Sequence, residues 1–123
     1  MNKYYYDSYA ILAYINKSEN YVPYFSEYVG VTSLYNIMEV YYFVLREYGY
    51  EDAQEVLTIF RSLIITPTLD DVELAMHFKL KHRAKKLSYV DCLGYALARK
   101  LEIPFLTGDE GFRAISHVEF VKE

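Results

Sequence analysis

The chain has 123 residues, a formal net charge of −4 and 53% hydrophobic residues. This length predicts a single domain over residues 1–123, and no apolar run approaches the roughly 18 residues of a membrane span, so no membrane association is expected. The negative charge excludes nucleic-acid binding by bulk electrostatics, so an RNA-binding protein of this composition would need local basic clusters or bound cations.

Two further features concern the cellular compartment. The first residues, Met1 to Tyr4, lack the apolar core of a signal peptide. The single cysteine, Cys92, excludes an intramolecular disulfide and is expected to be a small buried side chain. Both features predict a cytoplasmic protein.

Short strands alternate with helices along the sequence. Strands are predicted at residues 3–6, 29–32, 63–67, 105–107 and 117–121, the last at a sheet edge. Helices are predicted at residues 9–16, 21–28, 33–48, 51–62 and 68–84, and another begins after Ser88 and keeps its apolar pattern to Leu101. This alternation predicts an α/β fold, a three-layer α/β/α sandwich around a mostly parallel sheet of four to five strands.

Helical periodicity assigns core-facing side chains to the long helices. In helix 33–48 the apolar stripe consists of Leu34, Ile37, Met38, Tyr41, Val44, Leu45 and Tyr48. In helix 68–84 the inward residues are Val72, Ala75, Met76 and Leu80. This helix and the one after Ser88 each begin with the spacing of a capping box, Thr68 with Asp71 and Ser88 with Asp91.

Four acids are placed where they could meet. Asp7 and Asp109 each follow a predicted strand, and parallel strands end at one edge of a sheet. Asp91 lies in the first turn of the helix that leads back to the strand before Asp109, so it starts on the same side. Glu39 lies two turns into the helix that follows the second strand. Taken singly, each acid could instead be a helix cap, a turn residue or a solvated side chain.

Four converging carboxylates repel one another, so such a site needs protons or cations to neutralise it. Oxygen ligands without histidine or cysteine favour Mg²⁺ or Mn²⁺. The arrangement is typical of metal-assisted phosphodiester hydrolysis, for which we expect carboxyl oxygens within about 8 Å of a common point. Without a cation, we expect their carboxyl pKa values to be raised by mutual repulsion.

A basic segment lies just before Ser88. It contains Lys79, Lys81, Arg83, Lys85 and Lys86, together with His82. The segment could be a solvated helix end, since cations suit a helix C-terminus, or a phosphate-contacting patch. The second interpretation assigns RNA binding to Lys79, Arg83, Lys85 and Lys86.

Other chemistries lack their sequence signatures. The sequence contains neither a glycine-rich phosphate loop nor a serine nucleophile elbow, and its three histidines lack metal-ligand spacing. An aspartyl-phosphate phosphohydrolase would need a second aspartate two positions after Asp7, where Tyr9 stands.

Several of these segments together resemble a PIN domain, and in particular the compact VapC-type toxin ribonucleases of prokaryotic toxin–antitoxin pairs. They are Tyr6-Asp7-Ser8, Glu39 in a long helix, Leu87-Ser88-x-x-Asp91 and Leu106-Thr107-Gly108-Asp109-x-x-Phe112. The resemblance covers essentially the whole chain, and the part from Ser88 to Phe112 is the most specific.

The resemblance implies a Mg²⁺- or Mn²⁺-dependent endoribonuclease. Its catalytic and metal-binding acids would be Asp7, Glu39, Asp91 and Asp109, supported by Ser8, Ser88, Thr107 and Glu110. Family likeness also implies a homodimer and an antitoxin protein whose helical tail fills an apolar groove. We expect that groove in the tyrosine-rich first half, near Tyr21, Tyr24, Tyr28, Tyr35, Tyr41 and Tyr42. A non-catalytic module that binds RNA or protein, and a small-molecule phosphohydrolase, are the alternatives.

Overall fold

The computed structural model describes residues 3–123. Met1 and Asn2, which belong to the segment predicted to lack a signal peptide, lie outside the described residues. The extent of one domain over 1–123 stays a prediction. Within residues 3–123, no helix combines the length and the apolar character needed to cross a membrane.

Helices and strands alternate as the sequence predicts. The strands are β1 (Lys3–Tyr6), β2 (Val29–Ser33), β3 (Ile64–Ile65), β4 (Phe105–Thr107) and β5 (Val118–Phe120). The helices are α1 (Ser8–Ile15), α2 (Val22–Ser26), α3 (Leu34–Tyr48), α4 (Tyr50–Phe60), α5 (Leu69–Lys81) and α6 (Tyr89–Lys100). The predictions over 51–62 and 68–84 run past α4 and α5, because Arg61–Leu63 and Arg83–Lys85 form separate 3-10 turns.

β1 is the central strand of the sheet. The strand order is β3-β2-β1-β4-β5, and each of these neighbouring pairs is parallel. The predicted α/β fold class and the edge position of the last strand are therefore confirmed. Because the strands run in one direction, their carboxyl ends share one edge, and Asp7 and Asp109 follow β1 and β4 there.

Two hydrophobic cores lie on opposite faces of the sheet, because successive strand residues point to opposite sides. Tyr4 and Tyr6 of β1 pack with buried residues of α1, α3 and α4, such as Ile11 and Val40. Tyr5 packs on the other face with residues of α5 and α6. Cys92 is buried in this second core, as expected. The three layers of the predicted sandwich are thus present.

The predicted core stripe of α3 is partly wrong. Ile37 and Val44 are buried as expected, whereas Met38 is 59% exposed, and Leu34, Leu45 and Tyr48 are exposed as well. The buried face contains Asn36 and Val40 instead. This rotation of the helix buries the polar Asn36, whose side chain accepts hydrogen bonds from Tyr5 and Ser33.

The inward face of α5 also differs from the prediction. Ala75 is buried, but Val72 and Leu80 are exposed. Asp71 is buried in their place, where it closes the predicted capping box with Thr68 and accepts a hydrogen bond from Lys100 at 3.2 Å. A buried carboxylate is acceptable here because it is hydrogen-bonded and paired with a cation.

Candidate active site

Asp7 is the most buried of the four predicted acids, with 2% of its surface exposed. It occupies the N-cap position of α1, yet its side chain makes no capping hydrogen bond. Instead, its Oδ2 accepts a hydrogen bond from the hydroxyl of Thr107 at 2.7 Å. Its Oδ1 is buried without a hydrogen-bond partner among residues 3–123. The interpretation of Asp7 as a simple helix cap is therefore wrong.

The environment of Asp7 disfavours its charged form. Burial is the largest cause that raises the pKa of its carboxyl, to about 8, and the negative charges of Asp91 and Asp109 raise it further. The hydrogen bond from Thr107 acts in the opposite direction. The pKa of Asp91 is also raised, by burial first and then by Asp109. The expected rise is thus present at both residues, with burial contributing more than repulsion.

Thr107 connects Asp7 with Asp109. While its hydroxyl donates to Asp7, its Oγ1 accepts a hydrogen bond from the backbone N–H of Asp109 at 3.1 Å. The Oδ1 of Asp109 in turn accepts a hydrogen bond from the backbone N–H of Gly111 at 2.9 Å, which caps the 3-10 turn Glu110–Phe112. The hydroxyl at residue 107 therefore fixes the spacing between two acids on neighbouring segments.

Asp91 is held by the start of α6. Ser88 and Asp91 form the predicted capping box: the Ser88 hydroxyl accepts from the Asp91 N–H at 3.0 Å, and Asp91 Oδ2 accepts from the Ser88 N–H at 2.9 Å. Helix α6 approaches the sheet closely through Gly94, where a Cβ would lie 2.9 Å from the ring of Tyr5 and 3.0 Å from that of Phe105. Both features place Asp91 near Asp7 and Asp109.

Glu39 reaches the site through Ser8. The Ser8 hydroxyl donates a 2.7 Å hydrogen bond to Glu39 Oε1 and accepts one from Asn36 Nδ2 at 3.0 Å. The sequence analysis did not identify Asn36 as a site residue. No local signal identifies it, because Asn36 lies outside the apolar stripe that periodicity predicts for this helix.

Asp7, Asp91 and Asp109 lie close enough for their charges to interact, and Glu39 bonds to Ser8, which is next to Asp7 in sequence. In the part of the chain that the structure describes, each of the four acids has one oxygen in an orienting hydrogen bond and another outside it. No group of three or more acid, histidine or cysteine side chains among residues 3–123 is arranged to hold a metal ion. These acids could hold a divalent cation, because hard cations prefer carboxylate oxygens as ligands and because the buried Asp7 Oδ1 has no hydrogen-bond partner among the described residues.

A family comparison decides the classification of this fold. The PIN domain family model matches residues 4–118. The chain belongs to the PIN domain family. PIN domains are a family of nucleases, so the acids at the carboxyl edge of the sheet lie in a nuclease fold. No curated protein sequence matches the chain.

Solved structures share the PIN fold at low sequence identity. The chain is similar to Mycobacterium tuberculosis VapC20, a sarcin–ricin loop cleaving toxin, with a TM-score of 0.81, 22% identity, and coverage of 97% of this chain and 99% of that one. It is also similar to a Klebsiella pneumoniae toxin–antitoxin complex (TM-score 0.75, 18% identity, 93% of each chain). VapBC2 from Rickettsia felis, bound to a promoter DNA fragment, gives a TM-score of 0.71 at 18% identity over 97% of each chain.

Glu110, predicted as a supporting acid of the PIN site, lies in a different environment. Its carboxylate pairs with Arg113 at 2.8 Å and with Lys122 at 3.2 Å. These two cations hold the pKa of Glu110 at about 2, below its ordinary value. Lys122 also donates a 3.0 Å hydrogen bond to the carbonyl of Gly108, so it stabilises the turn that carries Asp109.

The basic segment of this PIN domain leads directly into the capping box of Asp91. The Lys79 ammonium donates to the carbonyl of Leu87 and lies 4.8 Å from the ring centroid of Tyr89. Its positive charge partly offsets the rise that burial causes in the pKa of Asp91. Arg83, Lys85 and Lys86 are exposed beside it. Lys79 is therefore engaged at the start of α6, whereas the other three predicted RNA-binding residues face solvent.

Three of the six tyrosines expected to line an antitoxin groove are packed in the fold. Tyr21 is buried, and Tyr24 and Tyr28 contact the ring of Tyr4 edge-on with centroids 5.1 and 5.4 Å apart. Tyr41 is half-buried and accepts a hydrogen bond from Gln54. Tyr35 and Tyr42 are exposed. The first three rings thus stabilise the fold around β1 and α2 and do not line an open groove.

The raised pKa of Asp7 predicts how stability depends on pH. In metal-free protein the folded state binds the Asp7 proton more tightly than the unfolded chain does. The pKa of this carboxyl is about 8 in the fold and near 3.8 in the unfolded chain. Its contribution is complete below the lower value and is lost as the pH rises through the higher one, by up to about 1.4 kcal/mol per pH unit. Asp7→Asn should flatten this slope and raise stability near pH 8.

Urea unfolding in EDTA at several pH values between about 5 and 8 measures this slope. Asp70→Asn, which neutralises an exposed acid of α5, is the matched control and should keep the wild-type slope. An Asp7→Asn protein as pH-sensitive as the wild type would contradict the assignment of a raised pKa to Asp7.

Proposed function

We propose that this chain is a VapC-type endoribonuclease that depends on Mg²⁺ or Mn²⁺ and hydrolyses RNA phosphodiester bonds. Its catalytic and metal-binding residues would be Asp7, Glu39, Asp91 and Asp109. The observation that carries the proposal is a contrast among the acids. Asp71 and Glu110 are paired with lysine or arginine. In the described part of the chain, none of the four site acids makes a salt bridge, although they are neighbours.

Unpaired negative charge at one place favours a bound cation, and the donor chemistry agrees with a hard one. Asp7 would offer its unpartnered Oδ1, and Asp91, Asp109 and Glu39 would offer the oxygens outside their orienting hydrogen bonds. Once bound, the cation would supply activation of water and stabilisation of charge on the phosphate. Thr107, Ser88 and Ser8 would keep the four carboxylates in position.

The two alternative functions receive less support. A non-catalytic binding module would not need four acids without basic partners. A phosphohydrolase with an aspartyl nucleophile would need a second acid at residue 9. Tyr9 stands there, and its hydroxyl accepts a hydrogen bond from the backbone of Glu123 at 3.1 Å.

Substitution of the acids tests the catalytic proposal. Asp7→Asn, Asp91→Asn and Asp109→Asn should each lower Mg²⁺- or Mn²⁺-dependent RNA cleavage by about 10³-fold, because the cation contributes several kcal/mol to such reactions. Cleavage of a labelled RNA by purified protein measures the effect, and thermal melting checks that each variant is folded. Asp70→Asn should cleave like the wild type. A folded wild-type protein that neither cuts RNA nor binds either cation would refute the proposal.

We also propose that RNA contacts the exposed part of the basic segment. The double variant Lys85→Ala/Lys86→Ala should raise KM with kcat nearly unchanged. It should also reduce the slope of log K against log salt by about 1.4, since each lost phosphate contact on single strands accounts for about 0.7. Removing Lys3 and Lys17, exposed lysines at or near the amino edge of the sheet, is the control for charge alone. Equal effects of the two double variants would contradict a local RNA surface.

We propose an antitoxin partner as well, because the fold is shared with toxin–antitoxin proteins. The antitoxin would bind in a groove of about 510 Å³ between α1, α3 and α4, whose apolar floor suits a helical segment. The floor residues are Ile15, Val44, Val56, Ile59 and Phe60. Asp52 and Glu55 outnumber the single lining cation, Lys17, and favour a basic partner. Homodimer formation and a cytoplasmic location stay predictions.

Ile59→Arg tests this binding groove. Because Ile59 lines the groove and is 52% exposed, a charge there should not disturb the core. We expect weaker binding of the protein encoded by a neighbouring short gene, measured by calorimetry, and unchanged RNA cleavage without it. Leu69→Arg, at an 87% exposed leucine of α5, is the matched control. Unchanged affinity of the Ile59 variant would exclude this groove.

A further inference from the structure

Asn36 is a fully buried polar residue on the inward side of α3, with 0% of its surface exposed. Its Oδ1 accepts two hydroxyl hydrogen bonds, from Tyr5 at 2.5 Å and from Ser33 at 2.9 Å. Its Nδ2 donates to the Ser8 hydroxyl at 3.0 Å. A buried amide is costly unless it is hydrogen-bonded, and a satisfied network of this kind fixes the orientation of its members.

The hydrogen bonds of Asn36 have only one consistent direction. The Glu39 carboxylate can only accept, so Ser8 donates its single proton there. The Asn36 group that faces Ser8 must therefore be the NH₂ group, which leaves Oδ1 toward the Tyr5 and Ser33 hydroxyls. The Ser33 hydroxyl is free to donate because its oxygen accepts from the Asn36 backbone N–H. Ser8 thus accepts from Asn36 and directs its own proton to Glu39 Oε1 at 2.7 Å.

This chain of donors ends at Glu39, for which Ser8 is the only hydrogen-bond partner of the side chain among residues 3–123. Glu39 is exposed on α3, so its side chain would otherwise sample several rotamers. Ser8 follows Asp7 directly in sequence, so a bond from Ser8 keeps Glu39 beside Asp7. An aspartate at residue 36 would reverse the chain, because it would accept the Ser8 proton that Glu39 now receives.

We propose that Asn36 is a positioning residue that holds Glu39 toward Asp7 through Ser8 and thereby raises the affinity of the four-acid site for a divalent cation. This inference rests on the proposed metal-dependent function. Residues that orient metal ligands in this way typically change metal affinity by 10- to 100-fold when they are replaced.

Mn²⁺ binding measured by calorimetry and electron paramagnetic resonance tests the role without an activity assay. Asn36→Asp and Ser8→Ala should each weaken Mn²⁺ binding by about 10-fold or more. The Mn²⁺ affinity of the double variant should lie within about 2-fold of that of the weaker-binding single variant, because both changes break the same chain of hydrogen bonds. Tyr95→Phe is the matched control, since it removes a different part-buried hydrogen bond, from the Tyr95 hydroxyl to the Ser116 carbonyl. It should bind Mn²⁺ like the wild type.

The outcomes separate this role from a merely structural one. Wild-type Mn²⁺ affinity in a folded, less stable Asn36→Asp protein, or additive losses in the double variant, would overturn the inference while leaving the proposed function intact. If Asn36→Asp does not fold, Ser8→Ala decides alone, and wild-type affinity in that variant overturns the inference. Wild-type protein that binds no Mn²⁺ would overturn both the proposed function and the inference.

Discussion

The organisation of the site depends on a buried carboxyl group, that of Asp7, at the end of the central strand. A buried polar atom without a partner costs on the order of 1–3 kcal/mol, and an uncompensated charge costs more. The fold tolerates this cost because β1 lies between two hydrophobic cores that stabilise the sheet independently of the site. The cost is relieved by a proton at Asp7, or by a cation that gives Oδ1 a partner.

The way the protein treats its other acids separates structural carboxylates from site carboxylates. Asp71 is as buried as Asp7, but its pKa is lowered despite burial, because Thr68 and Lys100 donate hydrogen bonds to it. Glu110 lies next to Asp109 in sequence and is nonetheless neutralised by Arg113 and Lys122. A basic partner, and not burial or sequence position, therefore distinguishes Asp71 and Glu110 from the four site acids.

The sequence predicts those parts of the structure that depend on local signals or on chain direction. The capping box of Asp91 follows from a four-residue pattern, and the shared edge of Asp7 and Asp109 follows from parallel strands. The rotation of α3 could not be predicted, because Met38 and Val40 lie on competing apolar stripes. The observed rotation lets Asn36 accept hydrogen bonds from Tyr5 and Ser33, and the one from Tyr5 joins residues 31 positions apart. Periodicity contains no information about such a contact.

Long-range hydrogen bonds also explain why the site needs the whole sheet. Asp91 and Asp109 are oriented by their own turns, through Ser88 and Gly111. Asp7 is oriented by Thr107, which is 100 residues away in sequence, and Glu39 by Ser8, which is 31 residues away. These two bonds exist only when β4 lies beside β1 and α3 lies beside α1. Any change that loosens this packing should therefore displace Asp7 and Glu39 before it affects the other two acids.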